Sequence, residues 1–131
     1  MTAPKKILIA DDSPVIRKVY EMALGSHPHF EVFMAENGQE GLELAAALDK
    51  LDLIIFDINM PKLNGIEMLQ EIRGLRYHRE VPAIAVTSVG HLVSTQDNRT
   101  MGIRAVIIKP FQPDKLLYAI NKIVDSTATV D

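Results

Sequence analysis

Cysteine and tryptophan are both missing from this 131-residue chain, and aromatic residues of any kind reach only 5%. Without cysteine there is neither a disulfide framework nor a thiolate metal site. Basic charge is not in excess: 14 lysines and arginines face 17 aspartates and glutamates, a net charge of −3. That balance argues against a general nucleic-acid binder, which carries a basic patch. No apolar run approaches membrane-spanning length. At the N-terminus Lys5-Lys6 leads into only four apolar residues, Ile7 to Ala10, too short for the core of a signal peptide. A cytoplasmic protein without membrane attachment is the expectation. There is no internal repeat or low-complexity stretch, and the length fits one domain with a sizeable core.

What is present is a set of short buried strands that end in chemically active residues. Leu53-Ile54-Ile55-Phe56 is an unbroken apolar run closed abruptly by Asp57, the pattern of a strand covered on both faces. Strands are expected at about 6–10, 30–35, 52–56, 82–87 and 104–108. Between them, Ser13-Pro14 reads as an N-cap and first helical residue, and Gly25 as the stop. Further helices are expected over Gln39 to Leu48, Ile66 to Arg73, and onward from Gln112-Pro113. A fourth, from about His91 to Met101, is weakened by Ser94, Thr95, Asp97, Asn98 and Thr100. Residues 125–131 read as a polar, frayed tail. Strands alternating with helices predict a three-layer α/β fold, (βα)5, on a doubly wound parallel sheet.

Strand one ends in Asp11 and Asp12, strand three in Asp57, strand four in Thr87 and strand five in Lys109. In a sheet ordered 2-1-3-4-5 these strands are contiguous, and their carboxyl ends gather at the topological switch point, where ligands bind. Three carboxylates without histidine make an all-oxygen site suited to Mg²⁺. Asp57 then serves as a nucleophile toward a phosphoryl group. Lys109 and Thr87 are placed to neutralise and hydrogen-bond its oxygens. Taken singly, each has a plainer reading, as a solvated loop aspartate or a β-branched residue at a strand end.

Over essentially its whole length the chain resembles the receiver domain of bacterial two-component response regulators, of the stand-alone, chemotaxis-regulator type. The resemblance rests on four pieces in order: Asp11-Asp12-Ser13-Pro14, Phe56-Asp57-Ile58-Asn59-Met60-Pro61, Thr87-Ser88 and Lys109-Pro110-Phe111. It implies a flavodoxin-like sheet ordered 2-1-3-4-5 across a single receiver domain, 1–131. It implies Asp57 as phosphoacceptor, Asp12 as a direct Mg²⁺ ligand, Asp11 as a ligand through water, and Asn59 lending its backbone carbonyl. By the same resemblance Thr87 follows the phosphoryl group, Lys109 pairs with it, and the Lys109-Pro110 bond is cis. Asn59, Ser88 and Val89 line the approach to the phosphoryl group. The implied donor is a histidine kinase or phosphotransfer protein. As a stand-alone receiver its output is expected through a protein partner rather than through nucleic acid or membrane; the alternative is a receiver excised from a longer regulator. The face formed by the fourth helix, strand five and the last helix, with Lys115, Tyr118 and Lys122, is the expected surface for that partner or for a homodimer. As residues alone, it reads equally well as a solvated helix face. One departure stands out: Val106 occupies a position where the family often has an aromatic switch, so the signal is expected to leave through the strand-four loop and the fourth helix.

Three other classes remain beside this signalling switch, which would catalyse only its own phosphorylation and slow dephosphorylation. A phosphohydrolase would want a second acid where Asn59 stands, and a flavin carrier would want hydroxyls and glycine where Asp11-Asp12 stand. A scaffold that has lost phosphorylation would not need every charged position filled. His27, His29, His78 and His91 fall in different loops and read as exposed loop histidines. The methionines read as core filler.

Overall fold

A computed structural model describes residues 3–88 and 101–128. Its strands are β1 (Lys5–Ala10), β2 (Phe30–Ala35), β3 (Leu53–Asp57), β4 (Ala83–Thr87) and β5 (Ile103–Ile108). Its helices are α1 (Pro14–Leu24), α2 (Gly38–Ala47), α3 (Gly65–Arg73) and a C-terminal helix, α4 (Pro113–Ala128). The helix expected from His91 lies outside the described residues apart from Met101, as do His91 and Val89 themselves. The C-terminal helix continues to Ala128, beyond Asp125, where the sequence reads as a frayed tail. No helix among the described residues is long and apolar enough to cross a membrane.

The five strands are all parallel, in the order β2-β1-β3-β4-β5. Every residue of β3 and β4 is buried, which is why both read as unbroken apolar runs with no alternation. Alternate residues still face opposite layers. Ile7, Ile9, Leu53, Ile55, Ile84 and Val86 pack with Tyr20 and Leu24 of α1 and Leu116 and Ile120 of the C-terminal helix. Leu8, Ala10, Ile54, Phe56, Ala83 and Ala85 pack with Ala45 of α2 and Met68, Leu69 and Ile72 of α3. The result is three layers, with α1 and the C-terminal helix on one face and α2 and α3 on the other.

Local chemistry sets where the helices start. Ser13 Oγ accepts from the Ile16 N–H at 3.3 Å, and Pro14 follows at the first helical position. Asn37 caps α2 by accepting from the Glu40 N–H at 2.8 Å. Asn64 and Glu67 form a reciprocal capping box at α3. This fixes the return from β3, and Gly65 follows at the first helical position. A Cβ there would collide with the Asp57 carbonyl and the Phe56 ring.

His78 corrects the reading of exposed loop histidines, since only 1% of it is exposed. Its Nε2 lies 2.8 Å from both the Ala45 and the Leu48 carbonyl oxygens. A helix end leaves carbonyls without partners, and the imidazole supplies the donor that the end of α2 needs. His27 is half-buried and His29 exposed. Met22 is not filler either, standing 77% exposed on α1. Arg73, closing α3, donates to the Met101 carbonyl through Nε and Nη2 (3.1 and 2.6 Å) and to the His78 carbonyl through Nη1 (2.9 Å).

Candidate functional site

Asp57 is the last residue of β3, buried at the carboxyl edge of the sheet. It continues the alternation of Leu53 and Ile55, so it faces the α1 side. Its Oδ1 accepts from the Asn59 N–H two residues on, at 3.3 Å. Its Oδ2 lies 3.0 Å from Lys109 Nζ. Asp11 follows β1, in step with Ile7 and Ile9, and is wholly buried. Its Oδ1 accepts from the Ser13 N–H at 2.9 Å, the local turn that short acidic side chains favour. Arg17 Nη1 donates to its backbone carbonyl at 2.7 Å. Asp11 Oδ2 lies 2.8 Å from Lys109 Nζ, yet this oxygen has no aligned hydrogen bond among the described residues.

Lys109 is positioned by its own backbone. Its N–H donates to the Thr87 carbonyl at 2.7 Å, carrying the β4–β5 pairing one residue further. The Lys109-Pro110 bond is cis, as the resemblance implies. One ammonium therefore touches two carboxylates. Asp12 is exposed at the rim, and one oxygen from each of Asp11, Asp12 and Asp57 falls within a 4.8 Å group.

Burial is the largest influence on Asp57 and pushes its pKa above the usual carboxylate value. The Lys109 hydrogen bond and charge pull the other way, Asp11 adds to the rise, and the Asn59 N–H opposes it. Lys109 is also disfavoured by burial, but Asp11 and Asp57 outweigh that and hold its pKa above the usual lysine value. Asp57 and Lys109 thus support each other's charge against the burial that both suffer.

The structure thus brings Asp11, Asp12, Asp57 and Lys109 together. Thr87 is fully buried at the end of β4, and its hydroxyl donates to the Ser88 carbonyl at 3.4 Å rather than to Asp57. In step with Ala83 and Ala85, it faces the α2–α3 side. Asn59 contributes an observed N–H contact to Asp57. Three hard oxygen donors gathered within one such group fit a divalent cation such as Mg²⁺.

Two residues at the site were not singled out from sequence as functional. Arg17 was hidden as an ordinary polar position on α1. Tyr20 was read only as part of that helix's apolar stripe. It is wholly buried, its ring packs on Phe111 with centroids 5.3 Å apart, and its hydroxyl has no hydrogen-bond partner among the described residues.

The family model for the response regulator receiver domain matches residues 7–121. Among similar sequences, a chemotaxis protein CheY homolog of Campylobacter jejuni (strain 81-176) is 32% identical over 111 residues, covering 85% of each chain. Among solved structures, the receiver domain of a sensor histidine kinase from Pseudomonas aeruginosa PAO1 superposes with a TM-score of 0.80 at 27% identity. It covers 94% of this chain and 99% of that one, and a magnesium ion is coordinated in its active-site cleft. Chemotaxis protein CheY4 of Vibrio cholerae superposes with a TM-score of 0.81 at 30% identity, covering 92% of this chain and 99% of that one.

Proposed function

Because the chain belongs to the response regulator receiver family, we propose that it is a phosphorylation-controlled switch in which Asp57 accepts a phosphoryl group from a histidine kinase or phosphotransfer protein. The observation that carries this reading is the convergence of Lys109 Nζ on Asp57 Oδ2 and Asp11 Oδ2, at 3.0 and 2.8 Å, beside Asp12. An Asp57 oxygen attacks phosphorus as the donor's bond to phosphorus breaks, leaving an acyl phosphate on Asp57 and the electron pair on the departing group. Asp11, Asp12 and Asp57, with the Asn59 carbonyl, would hold Mg²⁺, which when bound would neutralise developing charge on the phosphoryl oxygens. Lys109 moves its hydrogen bond from the carboxylate to a phosphoryl oxygen. Thr87 turns its hydroxyl from the Ser88 carbonyl to another. The chain acts on itself alone, promoting its own phosphorylation and slow dephosphorylation.

The partner surface we infer is β5 with the C-terminal helix; the fourth helix expected over 91–101 lies outside the described residues apart from Met101. Tyr118 stands 70% exposed there, with Lys122 Nζ 6.0 Å from its ring centre, and Arg104 borders the same hollow. Exposed aromatic and cationic side chains together make strong contacts with a protein partner. Val106 is aliphatic, so Thr87 passes the change onward through the loop after β4 rather than through a ring at that position.

Intact mass after incubation with acetyl phosphate and Mg²⁺, beside Asp57→Asn, tests the central claim. A gain of one phosphoryl group that requires both Mg²⁺ and Asp57 is expected. No gain from acetyl phosphate or from any candidate kinase, in a folded chain shown to bind Mg²⁺, would overturn it.

A further inference from the structure

Asp11 is wholly buried, so each of its polar groups needs a neighbour from the protein. Its N–H donates to the Ala35 carbonyl at 3.1 Å, continuing the β1–β2 pairing. Its Oδ1 accepts from the Ser13 N–H at 2.9 Å, and its Oδ2 lies 2.8 Å from Lys109 Nζ. The backbone carbonyl is the group that neither sheet nor helix serves. β1 ends at Ala10, and the helical bonding of α1 begins only with the Arg17 N–H on the Ser13 carbonyl, at 2.9 Å. A buried carbonyl without a donor is costly. Arg17 Nη1 fills that place at 2.7 Å, reaching over from α1. Its Nη2 lies 3.9 Å from Glu36 Oε2, but the Glu36 side chain is 61% exposed and such a pair is weak. Among the described residues the guanidinium makes no hydrogen bond or ion pair with the carboxylates of Asp11, Asp12 or Asp57. It grips the backbone of the acidic pair and leaves the acids themselves open.

We propose that Arg17 is a positioning residue of the metal site: by holding the Asp11 carbonyl it fixes the Asp11–Asp12 peptide, and with it the direction in which Asp12 leaves the end of β1. A peptide unit is planar, so a pinned carbonyl also places the nitrogen and Cα that follow it. Asp12 has most need of this. It is the exposed member of the three-carboxylate group, and its side chain has no hydrogen bond or ion pair of its own among the described residues. The inference rests on the phosphorylation reading for Mg²⁺ as the ion, whereas the hydrogen bond stands apart from it. Two effects of the guanidinium on that ion have opposite signs. As a positive charge beside the cluster it opposes Mg²⁺. As a clamp on the peptide it favours Mg²⁺, because the carboxylates are already in place when the ion arrives.

The sign of the change on removing Arg17 therefore decides. Arg17→Met loses both the donors and the charge. Calorimetric titration should give it an Mg²⁺ affinity roughly three- to tenfold weaker than that of the parent, the scale of one hydrogen bond. Added salt, which screens charge, should leave that deficit in place. Equal or tighter binding by folded Arg17→Met overturns the proposal. Loss of charge alone would tighten binding, and an arginine that only satisfies a buried carbonyl would lower the melting temperature without touching the affinity. If Arg17→Met does not fold, Arg17→Lys takes its place under the same two outcomes. A parent chain that binds no Mg²⁺ overturns the proposal as well. Phosphoryl uptake from acetyl phosphate and candidate kinases, read by mass on the same samples, separates the two claims. If the parent takes up no phosphoryl group yet binds Mg²⁺ more tightly than Arg17→Met, the positioning role stands and the function reading fails. If both chains are phosphorylated and bind Mg²⁺ alike, the reverse holds.

Discussion

At the scale of single residues, Asp57 sits where its own charge is unwelcome. Its pKa in the folded chain lies above the ordinary 3.8, chiefly through burial, so the folded state holds that proton more tightly than the unfolded chain does. The resulting stability is present at low pH and is lost as pH rises from the unfolded value through the folded one. Near neutrality the ionised carboxylate therefore opposes folding. Asp57→Asn should melt higher than the parent at pH 7 without divalent metal, and the gap should close as pH falls toward 4. Thermal melts across that range check it, and a lower-melting Asn variant at pH 7 would contradict the electrostatic account. Lys109 follows the same direction in a higher pH range. Its folded pKa lies above 10.5 because of Asp11 and Asp57, so its contribution holds below that pH and disappears only above it.

At the scale of elements, the site depends on helix ends that meet strand ends without spare room. Gly65 opens α3 against the Asp57 carbonyl, where a methyl group has no place. Gly65→Ala should cost about 1–3 kcal/mol or more in overpacking and should slow phosphorylation by displacing the end of β3. Urea unfolding together with mass-detected phosphorylation measures both effects. The end of α2 depends on His78, whose Nε2 serves two carbonyls. Its removal takes a donor from both and leaves a hole, while the Ala45 carbonyl keeps the Leu48 N–H at 3.2 Å. His78→Ala should lose about 2–4 kcal/mol, seen as a lower urea midpoint with an unchanged slope. A shift of only a few tenths of a kcal/mol would mean that water replaces the imidazole without difficulty.

At the scale of the whole molecule, a cluster of carboxylates repelling one another couples metal binding to stability. Mg²⁺ at a hundred times its Kd should raise stability by about 2.7 kcal/mol, and Asp12→Asn should reduce that gain. Melts in Mg²⁺ and in chelator decide the matter. The layout of sheet and site could be read from sequence because Asp11, Asp57, Thr87 and Lys109 each close an apolar run, and sequence order shows such closures directly. The capping box was also written in Asn64 and Glu67, but the neighbouring Pro61 and Gly65 signalled only a turn. His78 could not be read, because its burial depends on the end of α2 some thirty residues earlier. The same holds for Arg73, whose partner Met101 is 28 residues away, and for Tyr20, where an apolar stripe is silent about a hydroxyl. Asp57 and Thr87, on neighbouring strands, face opposite sides of the sheet. If Asp57 accepts a phosphoryl group as proposed, the event would be announced on both sides of a wall, through Lys109 on one and Thr87 on the other.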